Sequence, residues 1–310
     1  MNKKLVILGA GESGTGAAVL AKKKGYRVFV SDSGKVKEEY KNVLCKYEIN
    51  WEEGRHTDGE ILNADEVVIS PGIPDDSPLV LRIKEKGINV ISEIEFAVRY
   101  SKAKMIGITG SNGKTTTTHL TYHILNKAGY DAGIAGNVGK SLAMQVALKD
   151  REYFVVELSS FQLDGMGVKQ LDIGILLNIT PDHLNRYQGN FQNYVNSKMK
   201  VLQLIKPGGT FIYCKDDQVV LNEIIKNKTN VQMVPFSIME KLEEGACIIN
   251  DQLLIQINQN QFNMLLQELA LQGKHNIYNS MAAGIASKIM DVRNEIIRQS
   301  FSDFQNIEHR

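Results

Sequence analysis

Apolar, β-branched runs recur along the chain: "KLVILG" at 4–9, "YRVFVSD" at 26–32, "EVVISPG" at 66–72, "KMIGITG" at 104–110, "YFVVEL" at 153–158, "DIGILLNI" at 172–179 and "GTFIYC" at 209–214. Each run is continuous rather than alternating, and the stretches between them carry helix-like spacing. A strand apolar at every position is buried on both faces, as in parallel sheets covered by helices. The pattern predicts an α/β protein. The polar "YSKAK" at 100–104, just before a fresh strand, marks the expected boundary between a domain spanning 1–100 and a second spanning 101–300. Residues 245–272 differ: "ACIIND" and "QLLIQI" predict a hairpin turning at Asn250-Asp251. There is no internal repeat and no low-complexity segment.

At 310 residues the chain has room for two domains with separate cores. The 43% apolar and 23% charged fractions are those of a soluble globular protein. A net charge of +1 gives no global field to attract nucleic acid or an anionic membrane. Cys45, Cys214 and Cys247 form no C-x-x-C pair, which argues for a reducing compartment and against a zinc site. "MNKKLVILGAGESG" enters a glycine turn too soon for a signal peptide and reads as a first strand. No apolar stretch approaches membrane-spanning length, so a cytoplasmic protein is expected.

Gly9, Gly11 and Gly14 form G-x-G-x-x-G between the first strand and the helix "TGAAVLAKKKG", and Asp32 ends the next strand. Glycines there let backbone approach a pyrophosphate at a helix N-terminus, and the acid accepts from a ribose hydroxyl. This specifies a diphosphate and a diol, and leaves NAD and a UDP-sugar both open; glycines serving only a tight turn are the plain alternative. The "SPGIP" of residues 70–74 adds a rigid turn at the same carboxyl edge of the sheet.

"GITGSNGKTTTTHL" joins another strand to another helix. The usual G-x-x-x-x-G-K-[ST] spacing fails, because its first glycine falls on Ile108. Strand, glycine loop and helix N-terminus nonetheless meet the physical requirement for holding phosphate. Lys114 then reaches β- and γ-phosphates, and the Thr115 hydroxyl can hold magnesium. Glu157 ends an apolar strand, as does the acid that holds magnesium opposite such loops. Asn178, Asp182 and His183 follow a third buried strand as polar candidates.

"TGSNGKTTT", "GNVG", "ELSSFQL", "NITPDHLNRY" and "GKHNIYN" occur in this order and together resemble the Mur ligases of peptidoglycan synthesis, with "ELSSFQL" and "SPGIP" most similar to the D-glutamate-adding branch. The resemblance covers nearly the whole chain. It implies a Rossmann-like N-terminal domain for UDP, followed by a P-loop-type ATP-binding central domain with a largely parallel sheet. A T-G-[ST]-[ND]-G-K-[ST] loop is the form such ligases carry. It further implies that Gly110, Ser111, Asn112, Gly113, Lys114, Thr115 and Thr116 surround the ATP phosphates, with Asn276, Asn279 and Arg310 also at ATP. Taken alone, the two asparagines read as helix caps. Ser13, Asp32, Ser33 and Gly72 are implied to line the UDP pocket, and Asn137 and His183 to contact that substrate near its reacting end.

The same resemblance implies two magnesium ions, held by Thr115, Glu157, His183 and a carbamylated Lys198; taken alone, Lys198 reads as a solvated helix lysine. Lys114, Glu157, His183 and Lys198 are the implied catalytic residues. Asn185 departs from the family's "DHLDR". The implied substrates are UDP-N-acetylmuramoyl-L-alanine, D-glutamate and ATP, acted on by a monomer with neither nucleic acid nor membrane as partner. Residues 301–310 resemble the start of a linker to a third domain, so the chain is expected to be a catalytically incomplete two-domain fragment. Other amide ligases of the superfamily and, from the first glycine loop alone, an NAD-dependent dehydrogenase are the competing expectations.

Overall fold

A computed structural model describes residues 3–74, 76–227 and 229–305. The chain forms two compact units. The first holds a five-stranded parallel sheet of β1 (Lys4–Leu8), β2 (Arg27–Asp32), β3 (Asn50–Glu53), β4 (Glu66–Ile69) and β5 (Asn89–Ser92), in the order β3-β2-β1-β4-β5. Between them run α1 (Glu12–Lys23), α2 (Glu38–Lys46), α3 (Asp58–Ile61) and α4 (Pro78–Glu85), and α5 (Glu93–Val98) follows β5. In the second unit lie β6 (Lys104–Thr109), α6 (Lys114–Lys127) and β7 (Ala132–Gly136). After α7 (Leu142–Leu148) come β8 (Tyr153–Glu157), α8 (Ser160–Asp164), β9 (Leu171–Leu176), α9 (Phe191–Gln203), β10 (Ile205–Cys214), α10 (Gln218–Lys226) and β11 (Gln232–Phe236). The meander β12 (Gly245–Ile249), β13 (Gln252–Ile257) and β14 (Asn260–Leu265) precedes α11 (Lys274–Ile289) and α12 (Asn294–Asp303).

The second sheet has nine strands in the order β14-β13-β12-β11-β10-β9-β6-β8-β7. Its strands are parallel from β7 to β12, and β13 and β14 add antiparallel pairs at one edge. The apolar runs bury Ile106, Ile108, Val155, Ile173, Ile175 and Ile212 against α6 and α11. The expected hairpin forms: Ile249 pairs with Gln252, and Asn250 and Asp251 both take left-handed φ, the requirement of a two-residue turn.

One assignment differs from the sequence expectation. Residues Gly139–Arg151, including α7, and Asp164–Val168 belong to the first unit rather than the second. Two buried carboxylates at the start of α5 hold them. Glu93 Oε1 accepts from Ser141 Oγ and from Ala143 N, both at 2.6 Å, and Glu95 Oε2 accepts from Gly167 N at 3.0 Å and Val168 N at 3.1 Å. Gly16 of α1 permits the close packing, because a Cβ there would lie 2.0 Å from Ser141 Oγ. Burial pushes the Glu93 carboxyl up to about 7, the donors from Ser141 and Ala143 opposing and nearby Glu12 adding to the rise. No described helix is long and apolar enough to cross a membrane.

Candidate functional site

In the first unit the three glycines have separate physical roles. Gly9 has φ +92°, and a Cβ there would meet Ser70 Oγ at 2.6 Å. At Gly14 a Cβ would stand 1.8 Å from the Gly9 carbonyl oxygen, so only glycine lets α1 start this close to β1. Gly11 has nothing within 4 Å of the same position and faces open space at the helix N-terminus. Asp32 grips the loop itself: Oδ2 accepts from Ala10 N at 2.7 Å, and Oδ1 from Gly34 N at 2.8 Å. Ser13 is half-buried on the first turn of α1, while Ser33 and Gly72 are exposed. These residues stand at the carboxyl ends of β1, β2 and β4, the edge where open α/β sheets bind ligands.

In the second unit the departure at Ile108 has a structural reason. Ile108 is fully buried inside β6, paired with Glu157 and Ile175, and the loop begins only after Thr109. A side-chain staple shapes the loop in place of the missing glycine. Ser111 N donates to Asn178 O at 2.9 Å, Asn112 N to Asn178 Oδ1 at 2.9 Å, and Asn178 Nδ2 returns a bond to Asn112 O at 3.1 Å. Ser111 Oγ donates to Thr180 O at 2.8 Å. Gly110 and Gly113 supply positive φ, +156° and +83°. Asn279 on α11 presses on Gly113, where a Cβ would meet its Oδ1 at 2.3 Å, and that oxygen accepts from Thr117 Oγ1 at 3.2 Å. Asn276 Nδ2 donates to Gln272 O at 2.9 Å, and its Oδ1 accepts from Asn279 Nδ2 at 3.3 Å, so neither side chain caps α11 from the Ncap position, which is Gly273.

Lys114 opens α6 and donates from Nζ to the carbonyls of Gly110 and Ser111, both at 2.8 Å; burial lowers its pKa against the attraction of Glu157 and Asp182. Lys198 Nζ donates to the same Gly110 carbonyl at 2.8 Å and lies 4.7 Å from the Tyr194 ring centroid. It is 2% exposed, which overturns its reading as a solvated lysine. Burial, reinforced by the Lys114 ammonium and opposed by Asp182, pushes it down to about 7. Thr115 Oγ1 donates to Glu157 Oε2 at 2.9 Å, and Asn137 Nδ2 donates to Glu157 Oε1 at 2.8 Å. Thr116 is half-buried on the first turn of α6.

His183 makes no hydrogen bond to these groups. It has φ +49°, its side chain is exposed, and its Nε2 lies 3.5 Å from Asp182 Oδ2. Its ring packs beside Phe161 of the "ELSSFQL" segment at 5.6 Å, and Arg186 lies over that same ring at 3.8 Å. Tyr187 OH donates to Ser197 Oγ at 3.1 Å, and Ser197 Oγ donates to Ser160 O at 2.9 Å, which ties the histidine loop, α8 and α9 together. The staple residues Asn178 and Thr180 and the ring of Phe161 had no assigned part in the sequence reading; Asn178 was visible only as a polar residue at a strand end. Asn185 is exposed, and Arg310 lies outside the described residues.

Magnesium is a hard ion with near-octahedral demands. Thr115 Oγ1 and Glu157 Oε2 are hard oxygens 2.9 Å apart, close to the edge of about 3 Å that bonds of about 2.1 Å imply. They fit one ion. Among the described residues no three His, Cys, Asp or Glu side chains gather as a metal cage, and no hydrogen bond joins His183 to Lys198.

Residues 108–287 match the model of the Mur ligase middle domain, and residues 4–79 that of the MurD N-terminal domain. The UDP-N-acetylmuramoylalanine–D-glutamate ligase of Bacteroides fragilis is 53% identical over 309 residues, 99% of this chain and 69% of that protein. The ligase of the same name from Christiangramia forsetii is 50% identical over 310 residues, 100% of this chain and 70% of that protein. Among solved structures, UDP-N-acetylmuramate:L-alanyl-gamma-D-glutamyl-meso-diaminopimelate ligase from Neisseria meningitides aligns with a TM-score of 0.68 at 19% identity, covering 100% of both chains. UDP-N-acetylmuramate-alanine ligase from Thermotoga maritima aligns with a TM-score of 0.58 at 18% identity, covering 99% of this chain and 69% of that one. Those two likenesses speak to fold alone. With a domain model matched across the stapled loop and relatives about half identical along its whole length, the chain belongs to the Mur ligase family.

Proposed function

We propose that this chain carries the UDP-substrate and ATP sites of an ADP-forming ligase that joins D-glutamate to UDP-N-acetylmuramoyl-L-alanine. The observation that carries the reading is the phosphate loop, with Lys114 folded over its carbonyls and the Thr115–Glu157 oxygens beside it. The first unit's glycine loop, with Ser13, Asp32, Ser33 and Gly72, takes the uridine diphosphate. Gly110 to Thr116 take the ATP phosphates, and Asn276, Asn279 and Arg310 the rest of the nucleotide. Asn137 and His183 face the reacting end of the UDP-substrate.

The terminal carboxylate of the UDP-substrate attacks the γ-phosphorus, the bond to the bridging oxygen breaks, and ADP leaves. The amine of D-glutamate then attacks the acyl carbon of the acyl phosphate; inorganic phosphate departs and the amine gives up a proton. Lys114 exchanges the Gly110 and Ser111 carbonyls for phosphate oxygens and stabilises the charge of the transfer, where electrostatics and positioning supply most of the acceleration. Lys198, buried and drawn towards neutrality, is the kind of amine that adds CO2, and its carbamate would be an oxygen ligand. When bound, magnesium would screen the transferring phosphoryl group. Thr115 and Glu157 would hold one ion, and His183 with carbamylated Lys198 a second. A cytoplasmic monomer completes the reading. Thermal shift tests it: UDP-N-acetylmuramoyl-L-alanine and Mg-ATP should each raise the melting temperature, and stabilisation by NADH alone would refute it.

A further inference from the structure

By resemblance Asn137 faces substrate, yet its contacts tie it to Glu157. Parallel pairing of β7 with β8 sets Gly136 opposite Glu157. Gly136 has φ +99°, and a Cβ there would stand 2.1 Å from the Glu157 carbonyl oxygen, so glycine is what lets the strands close here. The next residue then bonds Glu157 twice. Asn137 N donates to Glu157 O at 2.9 Å, and Asn137 Nδ2 donates to Glu157 Oε1 at 2.8 Å. The glutamate is 1% exposed, and its other oxygen accepts from Thr115. A buried carboxylate with one donor on each oxygen has its plane fixed.

We propose that Asn137 is a positioning residue that holds Glu157 by Oε1, so that Oε2 is presented beside Thr115 to a divalent cation; this rests on the reading of Glu157 as a magnesium ligand. Removing the amide leaves a buried oxygen without its donor, and the carboxylate turns to recover one. Outer partners of metal ligands commonly govern metal affinity tenfold to a hundredfold.

The test uses Mn2+ as the probe on the 310-residue chain with β,γ-imido-ATP, following free Mn2+ by electron paramagnetic resonance. Asn137→Ala and Asn137→Leu should each weaken Mn2+ about tenfold or more. The leucine variant keeps the bulk and lacks the donor, so it separates the lost bond from lost packing. Glu157→Gln should weaken Mn2+ further. Parental Mn2+ affinity in both Asn137 variants overturns the proposal, and weakened UDP-N-acetylmuramoyl-L-alanine binding by calorimetry would then leave Asn137 with its substrate contact alone. No Mn2+ binding by the parent, or parental affinity in Glu157→Gln, refutes instead the underlying assignment of Glu157.

Discussion

Glu93→Gln isolates the electrostatics of the segment that α5 captures. The carboxyl is 3% exposed, and burial lifts its pKa from 4.5 to about 7. A folded-state pKa above the unfolded value means that the folded protein binds the proton more tightly. The stability tied to Glu93 is therefore fully present below pH 4.5, declines between 4.5 and 7, and is gone above 7. At 1.36 kcal/mol per pKa unit, the span amounts to about 3 kcal/mol. Glutamine cannot ionise, but its amide oxygen can keep both bonds that Oε1 accepts, from Ser141 Oγ and Ala143 N. The variant should match the parent near pH 4.5 and exceed it at pH 8, with a melting temperature higher by roughly 5–10 °C. Calorimetric melts from pH 4.5 to 8.5 check this. Parallel curves, with the same difference at every pH, would mean that the Glu93 pKa does not change on folding and that its donors fully offset desolvation.

Three further substitutions separate the two glycine loops. Gly14→Ala drives a methyl into the Gly9 carbonyl, 1.8 Å from the ideal Cβ; α1 has to shift, at a cost of about 2–3 kcal/mol in chemical denaturation, and an unchanged midpoint would contradict the packing described. Lys114→Ala should weaken ATP about tenfold or more in calorimetry while UDP-N-acetylmuramoyl-L-alanine binds as before; a mutant with parental ATP affinity would remove the lysine from the phosphate site. Asp32→Ala leaves Ala10 N and Gly34 N without their acceptor and should weaken the UDP ligand about tenfold or more with little effect on ATP; equal losses for both ligands would refute the assignment of the first loop to UDP.

Strands made of continuous β-branched residues could be read directly, because burial on both faces leaves an uninterrupted apolar signature. The short strands could not: "NWEE" of β3 and "NVIS" of β5 are brief and part-exposed, and "AGIAG" of β7 lacks the bulk that marks a strand. That Gly113, Lys114 and Thr115 share one strand-to-helix loop was legible because they are adjacent in sequence, whereas the contact of Thr115 with Glu157 depends on the pairing of β6 with β8. Lys198 was not legible unaided, since its burial comes from the Tyr194 ring and the Gly110 carbonyl, one far away in sequence. Nor does anything local in "SEIEFAV" announce that Glu93 and Glu95 reach across to residues 141–168. Such contacts are properties of the fold, and periodicity carries no trace of them.

The first unit's claim on residues 139–151 and 164–168 has a consequence for the chain as it leaves the ribosome. After Lys102 has been made, the donors that Glu93 and Glu95 require are still untranslated. At about 5–20 residues per second those for Glu93 arrive roughly 2–8 s later and those for Glu95 roughly 3–13 s later. During that interval the nascent first unit holds two buried-to-be carboxylates open to water and an α1 face without its covering helix. Synonymous codons that slow or speed residues 103–168 should therefore alter the yield of soluble protein more than the same changes placed after residue 168.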